Sequence, residues 1–156
     1  MPHTTALQAA QLLWQHWQAG STLENLPENL RPATRAAGYA VQAALPQASG
    51  RSVRGWKIAA TSAAGQSHIN VGGPLAGRIL SGQLLEPDAT VPPLGNRMKV
   101  AETEMAFVFA RDLPARSKAY AVDEVMQAVA SLHPAIEIPN SRFAEFTAAG
   151  EAQLLA

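Results

Sequence analysis

The 156-residue sequence contains no cysteine. Disulfides, thiolate metal sites and cysteine nucleophiles are therefore excluded, and a reducing cytoplasm is the expected compartment. Formal net charge is zero, from 12 basic and 12 acidic side chains, with no basic run. Neither nucleic acid nor an anionic membrane is thus an expected partner. No apolar run approaches the roughly 20 residues that span a bilayer. The opening Met1-Pro2-His3-Thr4-Thr5 lacks the positive region and long apolar core of a signal peptide. Gly72, Gly73 and Gly77 match neither dinucleotide-binding nor P-loop spacing, so no nucleotide site is indicated. There is no internal repeat and no low-complexity tract.

What is present reads as a soluble globular chain, 47% apolar and 15% charged, long enough for one domain with a real core. Thr4 or Thr5 is expected to cap a helix through Ala6, Leu7, Ala10, Leu13, Trp14 and Trp17, ended by Gly20. His16 falls towards its polar side and reads as a surface residue. After a polar connector over 23–29, Pro32 opens a second helix that Pro46 stops. Residues 53–59 read as a strand, 61–66 as a loop or short helix, 77–80 as a short strand, and 100–109 as a strand rich in β-branched and aromatic residues. Asp123 is expected to cap a helix through Val125, Met126, Val129 and Leu132, with Pro134 as its stop and a short strand around Glu137. Helices first, then strands with one helix inserted, make the class α+β. A single domain over 1–156 is expected, with a helical part at 4–46 and a partial catalytic β-fold at 51–156.

The 100–109 stretch carries the chemistry. Alternation puts Glu102 and Glu104 on one face, beside Val100, Ala106 and Val108. Two like charges on an otherwise apolar face repel and lose solvation unless a cation lies between them. Mg²⁺ takes one or two carboxylates and completes its shell with water or substrate oxygens. Glu137, between two isoleucines, is a third acidic candidate. The competing reading is a solvated outer face. Lys57 is the candidate base, since a half-buried lysine exchanges protons near neutrality; the alternative is a surface lysine pointing away from a buried Trp56. Thr61, Ser62 and Ser141 are hydroxyls suited to an anionic substrate, or to local backbone. Arg142 suits a substrate carboxylate or one of the glutamates. His133 is expected at a helix end, where a cation is favoured, as a structural or a catalytic group.

Three stretches, 55–62 (GWKIAATS), 101–108 (AETEMAFV) and 134–142 (PAIEIPNSR), resemble the fumarylacetoacetate hydrolase superfamily. Within it they are most similar to the 2-keto-4-pentenoate hydratase and 2-oxo-3-hexenedioate decarboxylase branch, which residues 39–42 also fit. The resemblance implies a mixed, rolled and barrel-like sheet with peripheral helices. It implies Mg²⁺ or Mn²⁺ held by Glu102, Glu104 and Glu137, with Lys57 as acid/base or substrate-orienting residue. The implied substrate is a 2-hydroxypenta-2,4-dienoate-like 2-keto acid of aromatic catabolism, and the implied reaction is hydration. Decarboxylation of a 2-oxo-3-hexenedioate, C–C hydrolysis of an acylpyruvate, or an inactive fragment or partner subunit are the alternatives. A homo-oligomer or a hydratase–decarboxylase complex is the implied assembly. Two departures stand out. Studied hydratases carry an acidic residue in the loop after the lysine strand, where 73–77 reads GPLAG, so a second proton carrier is missing or differently placed. Family members also continue for roughly another hundred residues by this resemblance, so a C-terminally incomplete chain is expected.

Overall fold

The computed structural model describes residues 1–93 and 95–156. They form two compact units, Met1–Arg97 with Ser141–Ala156, and Met98–Asn140.

The larger unit is built on two helices. Helix α1 spans His3–Ala19 and ends, as expected, on Gly20, whose left-handed backbone (φ 64°) turns its N–H onto the carbonyls of His16 and Trp17. Its start differs from expectation. Pro2 occupies the cap position, and neither Thr4 nor Thr5 lies outside the helix to cap it. Helix α2 spans Arg35–Ser49 rather than starting at Pro32, because Thr34 Oγ1 accepts the Ala37 N–H at 3.1 Å. Pro46 lies inside α2 and does not stop it. It forfeits one backbone bond, but the turn beyond is tied back by Ser49 Oγ, which donates to the Leu45 carbonyl at 2.7 Å. The left-handed Gly50 then ends the helix.

The core joins Ala6, Ala9, Ala10 and Leu13 of α1 to Val41 and Ala44 of α2, with Leu26, Phe143 and Ala149. Leu26 lies in the expected polar connector yet is 0% exposed. Burying such a side chain is worth about 1.5–3 kcal/mol. A short helix α5, Glu151–Leu154, packs so close to α2 that a Cβ on Gly38 would come within 2.3 Å of the Ala152 carbonyl oxygen. Two buried glutamines satisfy the polar groups this packing encloses. Gln153 accepts the Leu26 N–H at 2.9 Å and donates to Asn25 Oδ1 at 2.8 Å. Gln42 donates to the carbonyls of Ala76 and Leu155 and accepts from Arg78.

Strand β1, Val53–Ala59, has its expected bounds and pairs antiparallel with β2, Leu75–Leu80; helix α3, Ala63–His68, lies between them in sequence. The outer edge of β2 is covered by α2. Tyr39 Oη accepts the Ala76 N–H at 3.2 Å, and Gln42 takes the Ala76 carbonyl.

The smaller unit holds β3, Glu102–Phe109, the short helix α4, Val122–Met126, and β4, Val129–Glu137. The expected helix through Leu132 is therefore too long at its C-terminal end. Val129 and Leu132 keep helical spacing with Val125 and Met126, but they pair with Phe109 and Phe107 of β3 instead. A nonlocal ladder overrides local periodicity here. Ala121, not Asp123, precedes α4, and its N–H is taken by Glu124 Oε2 at 2.8 Å. Pro134 lies within β4, opposite Met105, and His133 sits mid-strand rather than at a helix end. A strand with a single partner tolerates proline because one of its edges needs no donor. Both ladders are antiparallel and the class is α+β. Among the described residues, no helix is long and apolar enough to cross a membrane.

Candidate metal centre

The register of the smaller unit builds the site. Glu102 lies directly opposite Glu137, and Glu104, opposite Ala135, follows Glu102 on the same face. Directly opposed residues on a ladder lie about 4.5–5.5 Å apart, with diagonal neighbours within reach of long side chains. One carboxylate oxygen from each of Glu102, Glu104 and Glu137 accordingly falls within 4.8 Å of the others. Glu104 and Glu137 are half-buried, and Oε2 of Glu137 is shielded from solvent.

Three carboxylates at this spacing repel one another, and a divalent cation relieves the repulsion. The donors are all hard oxygens, which suits Mg²⁺, Mn²⁺ or Ca²⁺ and not a soft metal. The residues present therefore fit an oxygen-liganded divalent ion. The same face continues through Ala106 and Val108 on β3, and through Ala135, His133 and Ser131 on β4. Ser131 Oγ and His133 Nε2 are hydrogen-bonded at 2.8 Å. The other face is apolar and exposed, with Met105, Phe107, Leu132 and Ile136 each about half or more accessible.

The remaining sequence-derived candidates belong to the larger unit. Lys57 is half-buried on the β1 face that carries Gly55 and Ala59, opposite Gly77, while Trp56 and Ile58 are exposed on the other face. The exposed Trp56 ring is covered by the Arg78 guanidinium, 4.7 Å from its centroid. Thr61 and Ser62 are exposed; Ser62 Oγ caps α3 by accepting the Gly65 N–H at 3.1 Å. Ser141 Oγ accepts the Phe143 N–H at 3.0 Å. A hydroxyl that accepts in this way still has its own proton to donate.

Arg142 is 9% exposed. It donates to the carbonyls of His16 and Ser21 at the C-terminal end of α1, where a cation is favoured, and it lies over the Trp17 ring at 4.9 Å. Burial lowers its guanidinium from the ordinary value. His16, half-buried, bonds Ser21 Oγ through Nδ1 at 2.8 Å.

The arrangement is that of an α+β protein whose three glutamates offer an oxygen-donor centre on an antiparallel ladder. No protein-family model matches the chain. It is 32% identical over 142 residues to the 2-keto-4-pentenoate hydratase of Paraburkholderia xenovorans (strain LB400) and to 2-keto-4-pentenoate hydratase 3 of Pseudomonas putida. Each alignment covers 89% of this chain and 52% of the relative. The fold matches the 4-oxalocrotonate decarboxylase of Pseudomonas putida G7, solved with magnesium and adipate, at a TM-score of 0.75 and 18% identity. The same enzyme solved with calcium and acetate matches at 0.71. The matched part covers 99% and 98% of this chain, and 59% of the neighbour in both cases. The chain is thus similar in sequence to 2-keto-4-pentenoate hydratases and in fold to a decarboxylase, which supports its resemblance to the hydratase and decarboxylase branch of the fumarylacetoacetate hydrolase superfamily. It spans about half the length of the curated relatives it matches.

Proposed function

We propose that this chain is the metal-binding portion of a divalent-metal-dependent lyase that hydrates 2-hydroxypenta-2,4-dienoate-like 2-keto acids in aromatic catabolism. The observation that carries the reading is the convergence of Glu102, Glu104 and Glu137 through strand register. The 32% identity to named hydratases favours hydration over decarboxylation. The magnesium and adipate of the structural neighbour support a divalent ion together with a carboxylate-bearing ligand.

In this reading the three glutamates hold Mg²⁺ or Mn²⁺, which when bound supplies Lewis acidity towards the substrate carboxylate and 2-oxygen. Lys57 carries protons to and from the substrate. Thr61, Ser62 and Ser141 donate to its anionic oxygens, and Arg142 adds positive charge or orders the segment that bears Ser141. The rolled, barrel-like sheet, the single-domain organisation, the cytoplasmic location and an assembly with itself or with a decarboxylase belong to the same proposal.

The test is turnover. Loss of the dienoate chromophore on adding Mg²⁺ or Mn²⁺, abolished by chelator, supports hydration. Carbon dioxide released from a 2-oxo-3-hexenedioate without hydration of the pentadienoate moves the assignment to decarboxylation, the reaction named for the structural neighbours. Metal binding with neither reaction points to an inactive fragment or partner subunit.

A further inference from the structure

The smaller unit carries a proton-transfer group that the metal reading leaves unused. His133 lies on the same ladder face as the three glutamates, opposite Ala106 and diagonal to Glu104. Its donor atoms are not among those that gather within 4.8 Å, so it stands beside the cluster rather than inside it. Its exposed ring is held by Ser131, two residues back on the same face, through the 2.8 Å bond to Nε2. That bond leaves Nδ1 for another partner, and imidazole is the side chain best suited to passing protons at neutral pH. The space between His133 and the cluster is small-walled, since Ala106 and Ala135 are the intervening residues on that face. A small acid lying across the glutamates would extend over these two alanines towards the imidazole. The 73–77 stretch, which runs into β2 at Leu75, by contrast offers no acidic side chain.

We propose that His133, oriented by Ser131, is a catalytic proton carrier to the substrate carbon chain at the three-glutamate centre. The proposal rests on the metal-dependent reading above and supplies the second carrier that the 73–77 stretch lacks. The simplest form of the step is enolisation of a 2-oxo acid. Imidazole takes a proton from C3, the C3–H pair becomes the C2–C3 double bond, and the carbonyl π pair passes to the 2-oxygen. The imidazolium exchanges that proton with solvent and then delivers one to C3 as the pair on the 2-oxygen re-forms the carbonyl, which restores the acid and the neutral ring.

The experiment follows exchange of the C3 hydrogens of 2-oxopentanoate in D₂O by NMR, using the full 156-residue chain with Mn²⁺ or Mg²⁺. Two variants, His133→Gln and Ser131→Ala, are measured in parallel, with Mn²⁺ affinity followed by electron paramagnetic resonance. The wild type is expected to accelerate exchange over free metal. His133→Gln should lower that acceleration at least about tenfold, and Ser131→Ala by a smaller factor, with Mn²⁺ affinity within about twofold in both. Bound Mn²⁺ should also broaden the His133 ring signals, a readout that needs no turnover. Unbroadened signals, unchanged exchange in His133→Gln, or a wild type that binds Mn²⁺ without accelerating exchange each overturn the proposal. Absence of Mn²⁺ binding in the wild type is a separate result. It removes the metal-dependent reading, and the role of His133 with it.

Discussion

The two units solve stability in different ways. In the larger one, small residues let α1, α2 and α5 approach closely around Leu26, Val41 and Leu155, the largest fully buried side chains. In the smaller one, Ala128 is the single buried apolar residue among those described, and Phe107, Phe109, Met105 and Ile136 stay exposed. Its order comes from the β3–β4 ladder, and its face carries three mutually repelling carboxylates. Burial thus stabilises one unit, while the other places its polar groups by register alone. A ladder can hold a charged cluster that a packed core would reject, because Glu102 stays exposed and Glu104 and Glu137 are only half-buried.

The largest effect should come from the core. Leu26→Ala is expected to cost about 2–5 kcal/mol in denaturant unfolding followed by tryptophan fluorescence. All three tryptophans, Trp14, Trp17 and Trp56, report on that unit. Phe107→Ala, at a side chain 47% exposed, should change stability by less than about 1 kcal/mol, read by far-ultraviolet circular dichroism because its unit has no tryptophan. Equal losses would erase the distinction. Gly38→Ala comes next. Its Cβ would collide with backbone at the α2–α5 contact, costing about 1–3 kcal/mol by the same assay. A neutral outcome would mean that α5 is free to move aside.

Hydrogen exchange sharpens the comparison without mutation. Amides of the β3–β4 ladder should exchange at least about tenfold faster than those of Val41 and Ala44. Addition of a divalent ion should slow the ladder selectively. The smallest effect is electrostatic. The side-chain bond from Arg116, joined by the Ala121 N–H, holds the exposed Glu124 carboxyl down at about 2 from an ordinary 4.5. Because the folded value is the lower one, the stabilisation is present above about 4.5 and is lost as pH falls through about 2. In Arg116→Ala the Glu124 titration, followed by carboxyl NMR, should move up towards the ordinary value. No movement would assign the shift to the backbone bond instead.

The contrast also explains what was legible beforehand. Local chemistry was readable: Gly20 as a helix end, Val53–Ala59 as a strand, and Glu102 and Glu104 on one face. Nonlocal choices were not. Val129–Leu132 carries helical spacing, and only pairing with Phe107–Phe109 makes it a strand. Pro46 reads as a stop because proline breaks local bonding, yet Ser49 ties the following turn back to Leu45 and the helix runs on until Gly50 ends it. Leu26 was hidden in a polar stretch, since its burial depends on Gln153 at the far end of the chain. The resemblance implied that Glu102, Glu104 and Glu137 act together, but the β3–β4 register that sets Glu137 opposite Glu102 could not be read from residue spacing.

The three-glutamate centre can be tested by Mn²⁺ binding, followed by electron paramagnetic resonance on this chain, with and without oxalate as a mimic of the 2-keto acid head. The free-ion signal should fall on adding protein, oxalate should tighten binding, and Glu104→Gln should weaken it at least about tenfold with folding intact. Unchanged affinity in Glu104→Gln would contradict the three-glutamate centre.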